Sequence, residues 1–129
     1  MKIQLLYLSA MLLSAGCHSS YDVVYLSSGA DSSTPYSCKD FETFWNILSD
    51  GQSLLYNVRL GRHESNVLRD ELGQLAFQEL QGGYSPSFKF VIDDDQYCVT
   101  ALGVVMKNDE LVARSPKVLG ILEEADPGG

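Results

Sequence analysis

Three groups of residues have the types that do chemistry. The first is Asp93-Asp94-Asp95, an acidic cluster of the size that holds a cation. A calcium loop needs six to eight oxygen ligands on a curved backbone, with glycine at its sharp turn. No glycine stands near the triplet, and three adjacent side chains in a tight hairpin cannot all point inward. A solvated turn that discourages strand-edge pairing is expected instead. The second group, His63-Glu64-Ser65, has the letters of a hydrolase triad, but the side chains of adjacent residues diverge. With no G-x-S-x-G, H-E-x-x-H, G-x-G-x-x-G or Walker sequence in the chain, an enzyme is not expected. His63 is expected on the surface near a helix start. The third group is Cys17, Cys38 and Cys98. Only His18 and His63 accompany them, which argues against a zinc site. No metal and no cofactor are expected.

The first cysteine stands at the end of a leader. Met1-Lys2 puts a small positive charge before Ile3 to Leu13, which is apolar but for Gln4 and Ser9. These are signal-peptide proportions, and the run is too short for a membrane span, which needs about 20 apolar residues. Small residues Ser14, Ala15 and Gly16 lead into Cys17. The stretch Leu12–Cys17 resembles the lipobox of bacterial lipoproteins, whose cysteine thiol receives diacylglycerol and becomes the first mature residue. Ser14 stands where leucine is commonest, with Leu13 one place early. The resemblance implies a signal peptide over 1–16, lipidation with palmitate at Cys17, and a domain facing the periplasm. Histidine rather than aspartate at position 18 further implies sorting to the outer membrane. The alternative is ordinary cleavage after Ala15 or Gly16, leaving a soluble periplasmic protein with a free Cys17.

The lipobox changes the cysteine count. If Cys17 carries lipid, Cys38 and Cys98 remain as a pair, and an oxidising periplasm makes their disulfide the expected state. Lys2 is the leader's only charge, so the rest of the chain keeps eight basic residues against 17 acidic ones, net −9. Phosphates repel so acidic a chain, which excludes nucleic acid as a partner. Anionic headgroups repel it too, so attachment to a membrane must come through acyl chains.

The elements that would position these groups read as follows. Tyr21 to Leu26 is a possible short strand inside a lipidated tether, 17–36, whose stretch from Ser27 to Pro35 has a linker's composition. An α+β domain is expected over 37–124, and 125–129 is expected to fray. Its first helix spans Ser37 to Gly51, with Ser37 and Asp40 as a capping box and Phe41, Phe44, Trp45 and Leu48 on one face. That aromatic stripe reads first as core; Phe41, Phe44 and Trp45 are also the candidate partner-binding residues. Residues 53–60 alternate as a strand does, although a short helix ending at Gly61 fits as well. A second helix is expected from about Glu64 to Gln81, with Gly73 as a weak point. Strands follow at 87–92, 96–106 and 111–114, then a helical turn over 117–124. The expected fold is a two-layer α+β domain, an antiparallel meander covered by two helices.

Residues 55–73, LYNVRLGRHESNVLRDELG, resemble a segment of the SmpA/OmlA outer-membrane-assembly lipoproteins, with Val58, Leu60, Gly61, Val67, Leu72 and Gly73 at the matching positions. The hairpin carrying Leu102, Val104, Met106 and Leu111 suits their order of helices followed by three strands. The spacing from Gly61 to Gly73 is one residue long, and no proline follows Gly73. The resemblance implies a non-enzymatic, protein-binding accessory of an envelope assembly or secretion machine. An inhibitor of a cell-wall hydrolase such as lysozyme, or an immunity lipoprotein, is the alternative that the acidity suggests. A periplasmic binder of a small ligand or lipid is the third.

Overall fold

The computed structural model of the protein describes residues 20–27, 35–48 and 54–126. The leader, Cys17, most of the Ser27–Pro35 linker, Gly51 and residues 127–129 lie outside the described residues. Among those described, no helix is long and apolar enough to cross a membrane.

The chain is an α+β domain built on one antiparallel sheet of seven strands. Its elements are β1 (Asp22–Leu26), α1 (Phe41–Leu48), β2 (Leu55–Arg59), α2 (Arg62–Gln74), β3 (Gln78–Glu79), β4 (Pro86–Ile92), β5 (Asp95–Thr100), β6 (Val104–Lys107), β7 (Leu111–Arg114) and α3 (Pro116–Ala125). The strand order is β2-β1-β4-β5-β6-β7-β3, so β4 to β7 form a continuous meander of four strands, one more than expected.

Alternation along the strands sorts side chains to the two faces. Val23 and Tyr25 of β1, Phe88, Phe90 and Ile92 of β4, and Tyr97 and Val99 of β5 share one core with Leu68 and Leu72 of α2 and Val118 and Leu122 of α3. The residues between them face the other way. There Cys98 and Met106 join Cys38, which stands three residues before α1. So α2 and α3 cover one face, and the short α1 covers part of the other.

The two reversals at one end of the sheet use left-handed backbone at aspartate and asparagine. Asp93 and Asp94 have φ 50° and 71°, Asn108 and Asp109 φ 54° and 57°. Short polar side chains tolerate this conformation better than others do. The triplet thus turns the chain at Asp93-Asp94, while Asp95 already belongs to β5.

Five expectations need correction. Residues 22–26 are not tether: β1 lies between β2 and β4 inside the sheet, so the folded domain reaches well before residue 37. The second helix ends at Gln74 rather than near Gln81, because Gln78 and Glu79 pair with Val112 and Leu111 of β7 instead. The long strand 96–106 is a hairpin. Gly103 takes φ 85°, and the Thr100 hydroxyl accepts from Leu102 N–H and Val104 N–H at 3.2 and 3.1 Å. The terminal helical turn is a full helix. Ser115 caps it by accepting from Val118 N–H at 3.1 Å, and it runs through Ala125. The open choice at 53–60 resolves as strand β2, and the first helix is shorter than expected, starting at Phe41 after a tight turn over 38–40.

Four tyrosines among the described residues are held protonated by this packing, Tyr97 with Asp95 and Asp93 adding to its burial, and three of them shift far. Burial is the main cause for each, with Asp126 adding to it for two of them. Tyr25 rises well above its ordinary value of 10, and Tyr36 and Tyr56 rise to about 12. In the unfolded chain all three ionise near pH 10, so the unfolded state holds fewer protons above that pH and gains relative to the native one. Stability is therefore expected to be complete below pH 10 and to be lost as pH rises from 10 through about 12. Thermal melts across that window, followed by tyrosinate absorbance, would show these rings ionising late and together with unfolding. Their titration at pH 10 in a still-folded chain would contradict it.

Candidate functional site: an open sheet edge beside an aromatic helix

Helix α1 and the turn before it are fixed to the back of the sheet by three different means. The Cys38–Cys98 disulfide joins the turn to β5, with Cα atoms 5.6 Å apart and 60 residues between them in the chain. The Asp109 carboxylate accepts from Cys38 N–H at 2.7 Å and from Lys39 N–H at 3.0 Å. These are orphan donors ahead of a helix, and a carboxylate suits them in geometry and in charge. Ser37 and Asp40 close the turn rather than cap the helix as expected: Asp40 N–H donates to Ser37 Oγ at 3.2 Å, and the Ser37 hydroxyl donates to Asp40 Oδ2 at 2.9 Å. Lys89 of β4, its side chain 9% exposed, meets Glu42 of α1 with Nζ 2.6 Å from Oε1.

Among the described residues Glu42 is the only partner that the ammonium has, so removing it leaves a largely buried charge unpaired. Glu42→Ala is expected to lower stability by about 2 kcal/mol, less than a fully buried pair would lose because Glu42 is half-exposed. Lys89→Met should be close to neutral. Urea unfolding of the two variants tests the asymmetry, and equal losses would contradict it.

The three candidate partner-binding residues lie together in one aromatic cluster. Phe41 and Trp45 are buried, whereas Phe44 is half-buried. Tyr36 is its hub: its ring stacks on Phe44 with centroids 4.2 Å apart and stands edge-on to Trp45. Trp45 Nε1–H donates to the Tyr36 oxygen, and that hydroxyl donates to Pro86 O at 2.6 Å. Of the three, Phe44 is the one with appreciable surface left for another molecule.

Beyond α1 the chain returns as β2, the outermost strand on that side. Leu60 N–H donates to Tyr21 O and Ser27 N–H to Leu54 O, both at 2.8 Å. In an antiparallel pair such bonded positions recur every second residue. Residues 54, 56, 58 and 60 therefore turn their backbone groups to β1, and 55, 57 and 59 turn theirs outward. Among the described residues no strand pairs with that side of β2. Proteins usually guard such an edge with proline, a bulge, extreme shortness or charge. The opposite edge follows this practice, since β3 has two residues, both exposed. The β2 edge has five residues, no proline, and one charge, Arg59, which is drawn to Asp22 at 3.1 Å. Its outward N–H and C=O groups at Asn57 and Arg59 form a template for another strand.

The remaining sequence candidates are elsewhere. His63 and Glu64 are exposed in the first turn of α2, and Ser65 is buried, its hydroxyl accepting from Tyr21 N–H at 3.2 Å. Asp93 pairs with Arg69 at 2.8 Å and Asp95 lies 3.8 Å from Lys107. Sequence reasoning missed Asp109, Lys89 and Asn57. The edge alone had a signal, a five-residue alternation free of proline.

Comparison with known protein families, with characterised proteins and with solved structures finds no match for this chain.

Proposed function

We propose that this protein is a lipid-anchored outer-membrane lipoprotein that binds an envelope protein without catalysing a reaction, as an accessory of an assembly or secretion machine. The observation that carries this reading is the outer side of β2 at Asn57 and Arg59, which no strand among the described residues takes up. A partner's extended segment adds to such an edge through main-chain hydrogen bonds, with specificity from side chains on either side. The half-buried Phe44 and Tyr36, on the face that α1 covers, add an aromatic surface of the kind enriched in interfaces. The disulfide supports residence in an oxidising compartment, and Cys17 in its lipobox setting supports the anchor.

The edge gives a selective test. Asn57 N–H points away from β1, so Asn57→Pro removes an outward donor without breaking a bond of the ladder. Crosslinked envelopes should yield an envelope protein with the unaltered chain and lose it with Asn57→Pro, while the melting temperature stays within a few degrees. Recovery of no envelope protein by either chain would refute the reading, and equal recovery by both would remove the edge from it. Cys17→Ser should release the protein from membranes. Inhibition of a basic cell-wall hydrolase is the second reading. The net charge supports it, and its mark would be a salt-sensitive block of lysozyme.

A further inference from the structure

A cleft of about 640 Å³ opens between the C-terminal half of α2 and the β4–β5 hairpin. Its size is within the ordinary range for small-molecule sites. Leu75, Phe77, Ile92 and Tyr97 give it an apolar floor, and charged side chains stand around the rim. Three details separate it from a surface irregularity.

The first is Gly73, on the cleft side of α2. Glycine in a helix costs about 1 kcal/mol relative to alanine, and it is normally retained for a positive φ or a close approach. Gly73 has neither: its φ is not in the left-handed region, and a Cβ built there would meet nothing within 4 Å. It lines the cleft and puts no side chain there. The second is Lys107. Its ammonium lies 5.6 Å from the centroid of Phe77 and 5.9 Å from that of Tyr97, and its nearest carboxylate, Asp95, is 3.8 Å away, beyond hydrogen-bond reach. Aromatic faces hold a cation in place without using its donors, so the three N–H groups of Lys107 are unspent among the described residues. The third is Asp70. It lines the same cleft, is exposed, and has no partner among the described residues, whereas Asp93 is occupied by Arg69 at 2.8 Å.

From a cation that is ion-paired loosely with Asp95 but makes no hydrogen bond, and one unpaired carboxylate, around an apolar floor, we infer that the cleft binds a small zwitterion with an apolar body, an apolar amino acid or short peptide with free termini. Lys107 takes the carboxylate, Asp70 takes the ammonium, and the side chain covers Phe77 and Tyr97 beside Gly73. A simple anion would leave Asp70 unused, and a simple cation would leave Lys107 unused. This site is separate from the β2 edge and does not depend on its partner.

The test is a titration of the ¹⁵N-labelled full chain with leucyl-leucine, followed by amide shifts. Saturable shifts are expected at Gly73, Phe77, Tyr97 and Lys107. N-acetylated, C-amidated leucyl-leucine should weaken binding at least about tenfold, as should Lys107→Met. Gly73→Leu should raise the melting temperature and abolish the shifts. The inference is overturned if the free dipeptide gives no saturable shift, if the capped one binds equally well, or if Gly73→Leu folds and still binds.

Discussion

Replacing Cys38 and Cys98 together by alanine is expected to lower stability by about 4 kcal/mol, the loop-closure value for a crosslink of this span, although the entropic origin of that value is debated. For a domain of this size it corresponds to a fall in Tm of about 15–25 °C. The loss should not be spread evenly. The disulfide ties the turn before α1 to β5, whereas the core under α2 and α3 has no covalent link. Hydrogen exchange should show Phe41 to Asn46 opening first while the β4 and β5 amides stay protected. A uniform loss of protection would mean that α1 and the sheet unfold as one unit. Adding Asp109→Ala to the double variant should cost less than it does alone, because both groups hold the same turn and their effects couple.

The second large effect is expected at Tyr25. It is fully buried, edge-on to Phe88 and stacked on Tyr56, and its hydroxyl donates to Leu122 O at 2.7 Å. That carbonyl belongs to the last turn of α3, and Asp126 N–H bonds Glu123 O one residue on. Tyr25 is therefore both a core ring and a cap for a helix end. Tyr25→Ala should cost about 4 kcal/mol through the cavity it leaves. Tyr25→Phe keeps the ring and should cost about 1–2 kcal/mol for the buried hydrogen bond to Leu122 O that it removes. Chemical denaturation separates the two contributions. A Tyr25→Phe variant as stable as the unaltered chain would show that water replaces the hydroxyl at no cost.

Much of the fold was legible where local pattern and final environment agree. Phe88, Phe90 and Ile92 alternate because one face of β4 is core, and Phe41, Phe44 and Trp45 share a helix face because that face meets the chain. The Cys38–Cys98 pairing was readable from the cysteine count once Cys17 was set aside. What was illegible depends on distant partners. Leu75 and Leu80 continue the helical spacing of α2, but Gln78 and Glu79 are captured by β7, and that tertiary pairing outweighs local propensity. Gly103 was the single hint that 96–106 divides, because Ala101 and the 82% exposed Leu102 are not turn residues. Asp109 caps a turn 71 residues away, so nothing near it in sequence announces its role. The cleft was less legible still. Gly73 read as a weak point in a helix, and only the empty space beside it gives it another meaning.

The place of β1 within the sheet has a consequence for height above the membrane. Two residues, His18 and Ser19, separate Cys17 from Ser20. A residue spans at most about 3.5 Å, so an acylated Cys17 would hold Ser20 within about 10 Å, little more than a layer of lipid headgroups. Under the proposed anchor, the lipid works as a mooring and sets the orientation of the domain. The end of the sheet with the Asp93-Asp94 and Asn108-Asp109 turns would hang over the bilayer, and the hairpin tip at Leu102 would be carried a strand's length outward. Whatever meets this protein would then come to its flank or its far end, where no described strand pairs with the outer side of β2 at Asn57 and Arg59.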